Sequence, residues 1–221
     1  MLPADELSTY AGQIDNVILL IAVLTGFWFI LAEGIFFWLI FKYRAKPGVK
    51  SEYLEGHEKH VKRWVTWPHA LILVCDVFII IFAVMAWYNV KQRLPDPDRT
   101  IRIIGQQWAW TFQTPGADNV LDTDDDIFTV DDLHIEVGQV YHFQLQSRDV
   151  LHSFSVPVFR IKQDAIPGRS ITGWFEATGT GDHDIQCAEI CGIGHGVMAA
   201  RIHIEDSEQH QAWIQSASAA Q

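Results

Sequence analysis

Three cysteines in 221 residues are too few for a disulfide framework. Basic residues are also scarce. Lys and Arg number 16 against 27 Asp and Glu, and the net charge is −11. A general nucleic-acid binder is usually basic, so that class is set aside. Charged residues of both signs make up only 19% of the chain and apolar residues 49%. That excludes a disordered or low-complexity protein, which is poor in apolar side chains. There is no internal repeat, and the haem-attachment pattern C-x-x-C-H is absent. No Lys or Arg precedes Lys42, so no basic n-region opens a signal peptide.

What is present begins with two apolar runs. Val17 to Phe41 contains one charge, Glu33, and Trp67 to Tyr88 contains one, Asp76. Each is long enough to cross a bilayer as a helix at about 1.5 Å per residue, and spans are expected at 17–41 and 67–89. The first run is too long for a signal-peptide h-region. Pro68 suits the first turn of the second helix, where no N–H bond is lost. Trp38, Trp64, Trp67 and Trp87 lie near the run ends, as interfacial anchors do. Between the runs, segment 42–66 carries Lys42, Arg44, Lys46, Lys50, Lys59, Lys62 and Arg63. The positive-inside rule puts that loop in the cytoplasm and both termini outside a cell membrane.

The chain therefore divides into a transmembrane hairpin, 1–90, a linker, 91–99, and an extracytoplasmic domain, 100–221. From residue 91 onward nine basic residues face nineteen acidic ones, a net charge of −10. An acidic outer domain attracts cationic partners and speeds their encounter; solubility alone would account for it too. Short alternating runs at 100–104, 107–112, 133–137, 140–146, 156–161, 170–176, 182–186 and 198–204 read as strands. Asn119 to Asp132 reads as a loop and Glu205 to Ser216 as a closing helix. So many short strands in this length imply an all-β sandwich or small barrel.

The stretch QCAEICGIGHGVMA, Gln186 to Ala199, holds Cys187, Cys191, His195 and Met198 in a C-x3-C-x3-H-x2-M pattern. His152 stands upstream in DVLHSFSVP. Two thiolates, two imidazoles and a thioether are soft or borderline ligands, a set that favours copper. Gly192, Gly194 and Gly196 let the loop fold tightly round a small object. Three other readings compete: a Cys187–Cys191 disulfide, a Cys2His2 zinc site, and plain core packing. A disulfide leaves His195 and Met198 unexplained, and zinc rarely takes a thioether. A single blue copper uses one Cys. Two cysteines bridging two coppers use every soft ligand in the loop.

CAEICGIGHGVM resembles the copper-binding loop of subunit II of cytochrome c oxidases, within the haem–copper oxygen reductases. DVLHSFSVPVFRIKQDAIPGR resembles the segment that supplies that family's first His ligand, and GQQWAW its aromatic stretch after the membrane hairpin. The resemblance covers nearly the whole chain and implies a cupredoxin-like barrel. It implies a dinuclear copper centre, CuA, held by His152, Cys187, Cys191, His195, Met198 and the backbone carbonyl of Glu189. The Glu189 side chain would reach a magnesium ion shared with subunit I. Trp108 matches the residue that receives electrons from cytochrome c; from composition alone it reads as a buried strand aromatic. Electrons would then pass from copper to haem in subunit I, where oxygen is reduced to water. The donor is expected to be a separate cytochrome c or a haem c-containing subunit.

Asp149, three residues before His152, would orient the site or help dock a cationic donor; a solvated loop acid is the plain alternative. Glu33 and Asp76 are costly in hydrocarbon and are expected to contact subunit I, as structural hydrogen bonds more than as a proton path. Many family members carry a glutamate seven residues before the proline that opens the second span, at the mouth of a proton channel. Here that position is Val61, with Glu58, His60 and Lys62 nearby. Rival readings are a CuA domain of a different reductase, a quinol-oxidase subunit, whose type lacks these cysteines, and a membrane-tethered copper chaperone.

Overall fold

The computed structural model describes residues 6–50 and 53–219. The chain forms two compact units. One is Gln13–Tyr88; the other joins the segment up to Gly12 to everything from Asn89 onward. The first unit is helical. Helix α1 runs Ala11–Lys42 and α2 runs Lys59–Trp87, continued by a π-helical turn, Tyr88–Gln92. Both are long and apolar enough to cross a membrane. Phe29, Ile30, Leu73 and Ile80 are exposed in the isolated chain, an apolar surface that lipid or a protein partner has to cover.

The helices extend beyond the apolar runs. The polar turn from Lys59 to Thr66 is already helical, so Pro68 lies inside α2 instead of in its first turn. The connection between the helices is accordingly shorter than the 42–66 read from hydropathy.

The second unit is β. Among the described residues ten strands form two five-stranded sheets. The first has the order β3-β2-β1-β5-β8, with β1 Arg99–Gln106, β2 Ala109–Thr114, β3 Ile127–Val130, β5 Val140–Ser147 and β8 Ile171–Glu176. The second is β4-β10-β9-β6-β7, with β4 Asp132–Glu136, β6 His152–Val156, β7 Ile161–Ala165, β9 Gly181–Cys187 and β10 Ala199–Glu205. Most pairs are antiparallel, but β1–β5 and β4–β10 are parallel, so neither sheet is a simple meander.

Alternation explains the packing. In β5, Tyr141, Phe143 and Leu145 point inward while His142, Gln144 and Gln146 are half-exposed. β4 and β10 contribute Leu133, Ile135, Ile202 and Ile204 from their inward faces. Phe154 and Phe175 complete an aromatic core with Phe143. Gly173 is required there, because a Cβ would lie 2.2 Å from the Phe143 ring.

Two strand expectations are corrected. Residues 156–161 are not a strand: Pro157–Phe159 form a 3-10 turn, Arg160 takes φ 59°, and β7 starts only at Ile161. Pro157 has no N–H to give to a ladder. Within 119–132, read as a loop, Ile127–Val130 pair with β2 as β3. The closing helix, α3, is Ser207–Ser218, with Asp206 accepting from the Gln209 amide at 2.9 Å.

Candidate metal centre

The site is assembled from strand ends. β6 begins at His152, and Phe154 pairs with Cys187, the last residue of β9. β9 and β10 are antiparallel neighbours, with Gln186 opposite Ala199. The segment between them, 188–198, is therefore a closed loop at one edge of the sandwich. Its backbone is tied at both feet. The Cys187 amide donates to Met198 O at 3.1 Å, and the Ala188 amide to Ser153 O at 2.9 Å. His195–Val197 form a 3-10 turn that puts His195 and Met198 on the same side of the loop.

Two sulfurs occupy the centre. Cys187 Sγ and Cys191 Sγ are 3.7 Å apart and both residues are buried. That is far beyond the ~2.05 Å of a disulfide, and both thiols are free. It matches two thiolates sharing a metal, since two bonds of about 2.3 Å at a tetrahedral angle separate the sulfurs by about 3.8 Å. His152 Nδ1 lies 3.9 Å and the Glu189 carbonyl oxygen 3.3 Å from Cys187 Sγ. His195 Nδ1 lies 3.8 Å and Met198 Sδ 3.7 Å from Cys191 Sγ. Each sulfur thus has two further donors beside it. A Cys2His2 zinc site would leave the buried Met198 thioether unused; copper takes it. Burial, and then the Cys187 thiol beside it, push the Cys191 thiol up to about 11, so its thiolate forms only against a strong cationic partner.

The imidazole of His152 is held from behind. Its Nε2 donates to Asp149 Oδ1 at 2.8 Å. A carboxylate accepts only from a protonated nitrogen, so Nδ1 keeps its lone pair toward Cys187. Asp149 also accepts from the backbone amides of Gln107 and Val150, each at 2.7 Å. Desolvation works against its ionisation, but the hydrogen bonds from His152, Gln107 and Val150 outweigh it and hold the carboxyl below its usual range.

Gln107 is a residue that sequence reading quoted within GQQWAW without giving it a part. Its amide anchors Asp149, and its side-chain Nε2 donates to Cys191 O at 2.7 Å. One side chain thus links the aromatic turn after β1 to the cysteine loop. A backbone-directed amide leaves no signature in a single sequence.

The two tryptophans of QWAW part company. Trp110 is fully buried, edge-on to His152 with centroids 6.0 Å apart. Gly105 makes room for both rings, since a Cβ there would lie 3.1 Å from each. Trp108 is 38% exposed and packs against the loop, where a Cβ on Gly194 would fall 2.4 Å from its ring. Trp108 is thus not a buried strand aromatic. Around it the loop exposes Ile190, Ile193 and Val197, with Ile193 96% exposed.

The remaining candidates lie elsewhere. The Glu189 carboxylate faces Lys162 Nζ at 3.4 Å. Glu33 is half-buried on α1 and Asp76 exposed on α2. Val61 is half-buried in the first turn of α2, while His60 and Lys62 are exposed and Glu58 takes the N-cap position.

Residues 99–205 match the sequence pattern of the family described as cytochrome c oxidase subunit II, periplasmic domain. The alternative cytochrome c oxidase subunit 2 of Bradyrhizobium diazoefficiens is 28% identical over 95% of this chain and 82% of its own length. The cytochrome c oxidase subunit 2 of Alkalihalophilus pseudofirmus is 31% identical over 93% of this chain. This chain spans only 58% of that relative's length. The crystal structure of the periplasmic domain of subunit II of cytochrome oxidase from Bradyrhizobium japonicum superposes with a TM-score of 0.52 at 28% identity. It covers 58% of this chain and 99% of that one.

Proposed function

We propose that this chain, whose residues 99–205 match the cytochrome c oxidase subunit II family, is the electron-entry subunit of a respiratory haem–copper oxidase. Its centre would be CuA, held by His152, Cys187, the Glu189 carbonyl, Cys191, His195 and Met198. The convergence of these donors on two sulfurs 3.7 Å apart carries the reading. Bound there, a dinuclear copper centre supplies one-electron redox chemistry, with the charge change spread over two metals.

The protein's own residues do the rest. Cys187 and Cys191 are buried and hold water away from the metals, which lowers reorganisation. Asp149 keeps His152 in the ligating tautomer. Gln107 fixes the Cys191 carbonyl and so the height of the loop. Trp108 offers an exposed π-surface against that loop, a route for electrons arriving from outside. The apolar side chains Ile190, Ile193 and Val197 give a partner surface to cover, and the acidic outer domain favours a cationic donor, a cytochrome c or a haem c-containing subunit. Electrons leave toward haem in subunit I, where oxygen is reduced.

The outer domain is extracytoplasmic, and the basic loop between α1 and α2 supports a cytoplasmic hairpin turn with both termini outside. A magnesium ion at Glu189, shared with subunit I, would have to replace the Lys162 contact. Glu33 and Asp76 would meet subunit I within the membrane. The test is to load the full chain with copper, count the metal and record its electron paramagnetic resonance. Two coppers per chain with one unpaired electron coupled equally to both nuclei is the expected result. One copper, zinc, or coupling to a single nucleus would leave a metal-handling membrane protein instead.

A further inference from the structure

We propose that the outer face of the β4–β10–β9 sheet carries a second metal site, for a divalent ion of the zinc type, formed by Asp132, His134 and His203. His134 and His203 stand directly opposite each other on parallel strands. Both face away from the core, whose side is taken by Leu133, Ile135, Ile202 and Ile204. Asp132 precedes His134 by two residues and shares its face. Its Oδ1 lies 2.8 Å from His203 Nε2 and its Oδ2 3.4 Å from His134 Nε2. One donor atom from each residue lies within 4.8 Å of the others. Ligands about 2.1 Å from a common ion stand at most about 4.2 Å apart, so closure needs only a small movement.

The far nitrogens make the site specific. His134 Nδ1 meets Glu205 Oε1 at 2.7 Å, and His203 Nδ1 meets Asp182 Oδ1 at 2.7 Å. A carboxylate behind each ring keeps the proton on Nδ1; a metal would displace the proton that His203 Nε2 shares with Asp132, and Nε2 would become the ligand. Metal-binding histidines are held in that way. The same arrangement recurs in His152 and Asp149, with the two nitrogens exchanged.

The surroundings decide what moves. His134 is clamped, stacked on Trp213 of α3 at 4.4 Å and on His203 at 4.6 Å. The His203 side chain is 28% exposed and can tilt out of the stack, while Asp132 is more open still. Water completes the coordination of three protein ligands on a solvent-facing sheet. A filled site would bind β4 to β10. Through the Trp213 stack and the Glu205–His210 contact at 3.2 Å it would also pin the C-terminal helix. His203 is about 16 Å of strand from Met198, so this site is separate from the cysteine loop.

The full chain, copper-loaded in detergent, would be titrated with zinc chloride and its bound metals counted. The expected result is one zinc per chain with copper undisturbed, and a higher unfolding temperature. A chain carrying Cys187→Ser and Cys191→Ser should take the same zinc, so this count is independent of what the loop holds. His203→Asn should abolish uptake. Asp182→Asn, at an exposed position, should fold normally and weaken binding about 10- to 100-fold. No zinc in the chain carrying Cys187→Ser and Cys191→Ser, or equal uptake by wild type, His203→Asn and Asp182→Asn, overturns the proposal.

Discussion

Replacing Asp149 by asparagine changes almost no volume and tests how the metal centre is held. Asp149 accepts from three donors, the Gln107 amide at Oδ2 and both the Val150 amide and His152 Nε2 at Oδ1. An asparagine offers one oxygen and one NH2. Whichever way it turns, a donor faces a donor. Losing an acceptor in a part-buried site costs about 1–3 kcal/mol. If the NH2 meets His152, the imidazole proton is driven to Nδ1, the atom facing Cys187, and the lone pair for the metal is lost. Carboxylates behind ligating histidines contribute about 10- to 100-fold in metal affinity, or about 1.4–2.8 kcal/mol. The two estimates overlap, so a loss in that range is expected when the copper-loaded chain is titrated with a chelator. Asp149→Ala removes the donor clash but frees the ring, and its loss should be no larger. Wild-type affinity in both variants would refute the reasoning and leave Asp149 a solvated loop acid.

Three further outcomes are expected. Gly194→Ala places a methyl group 2.4 Å from the Trp108 ring; it should destabilise the domain by about 1–3 kcal/mol as overpacking does, slow electron entry, and leave the copper count unchanged, all measurable by thermal melts and stopped-flow mixing with a reduced donor. Trp108→Ala should keep the copper signal and lose most of the electron-entry rate, whereas a purely structural Trp108 would change the melting temperature and spare the rate. Asp122 is held at about 2, below the usual 3.8, by hydrogen bonds first from Arg102 and then from Gln113. A depressed carboxyl stabilises fully above its unfolded value and loses that contribution as pH falls through the folded one. Asp122→Asn should therefore lower the melting temperature slightly near neutral pH, and the difference should vanish as pH falls from about 4 to about 2.

The membrane helices were legible because their apolar runs are nearly unbroken, and the strands because apolar and polar residues alternate. The Tyr141, Phe143, Leu145 alternation is a sequence fact before it is a structural one. The candidate metal loop was legible for a different reason: soft ligands are rare, and four of them within 187–198, with His152 upstream, are hard to explain otherwise. Elements set by a missing donor or by pairing were not legible. Pro157 turned an apolar run into a 3-10 turn, and β3 formed within an acidic segment because β2 offered it an edge. Gln107 and the Asp132–His134–His203 group were hidden because their chemistry depends on neighbours distant in the chain. His134 and His203 become partners only through the parallel pairing of β4 with β10.

Strand pairing also explains why the candidate metal ligands are held in place. Cys187 ends β9, Ala199 begins β10, and the Cys187 amide is bonded to Met198 O across the gap. His152 starts β6, bonded to β9 on one side and β7 on the other. Three of the donors, His152, Cys187 and Met198, are thus fixed by ladders or their closing bonds before any metal arrives. Cys191 and the Glu189 carbonyl rest on the loop itself, His195 on a short turn within it, and Trp108 lies over Gly194 at the start of that turn. The turn that carries His195 therefore begins under the aromatic ring through which electrons would enter. Burial of Cys187, Cys191 and Met198 leaves that ring and its apolar rim as the outward face of the loop. A partner covering the rim would tighten the His195 turn, so docking and electron entry would be coupled through the same few atoms.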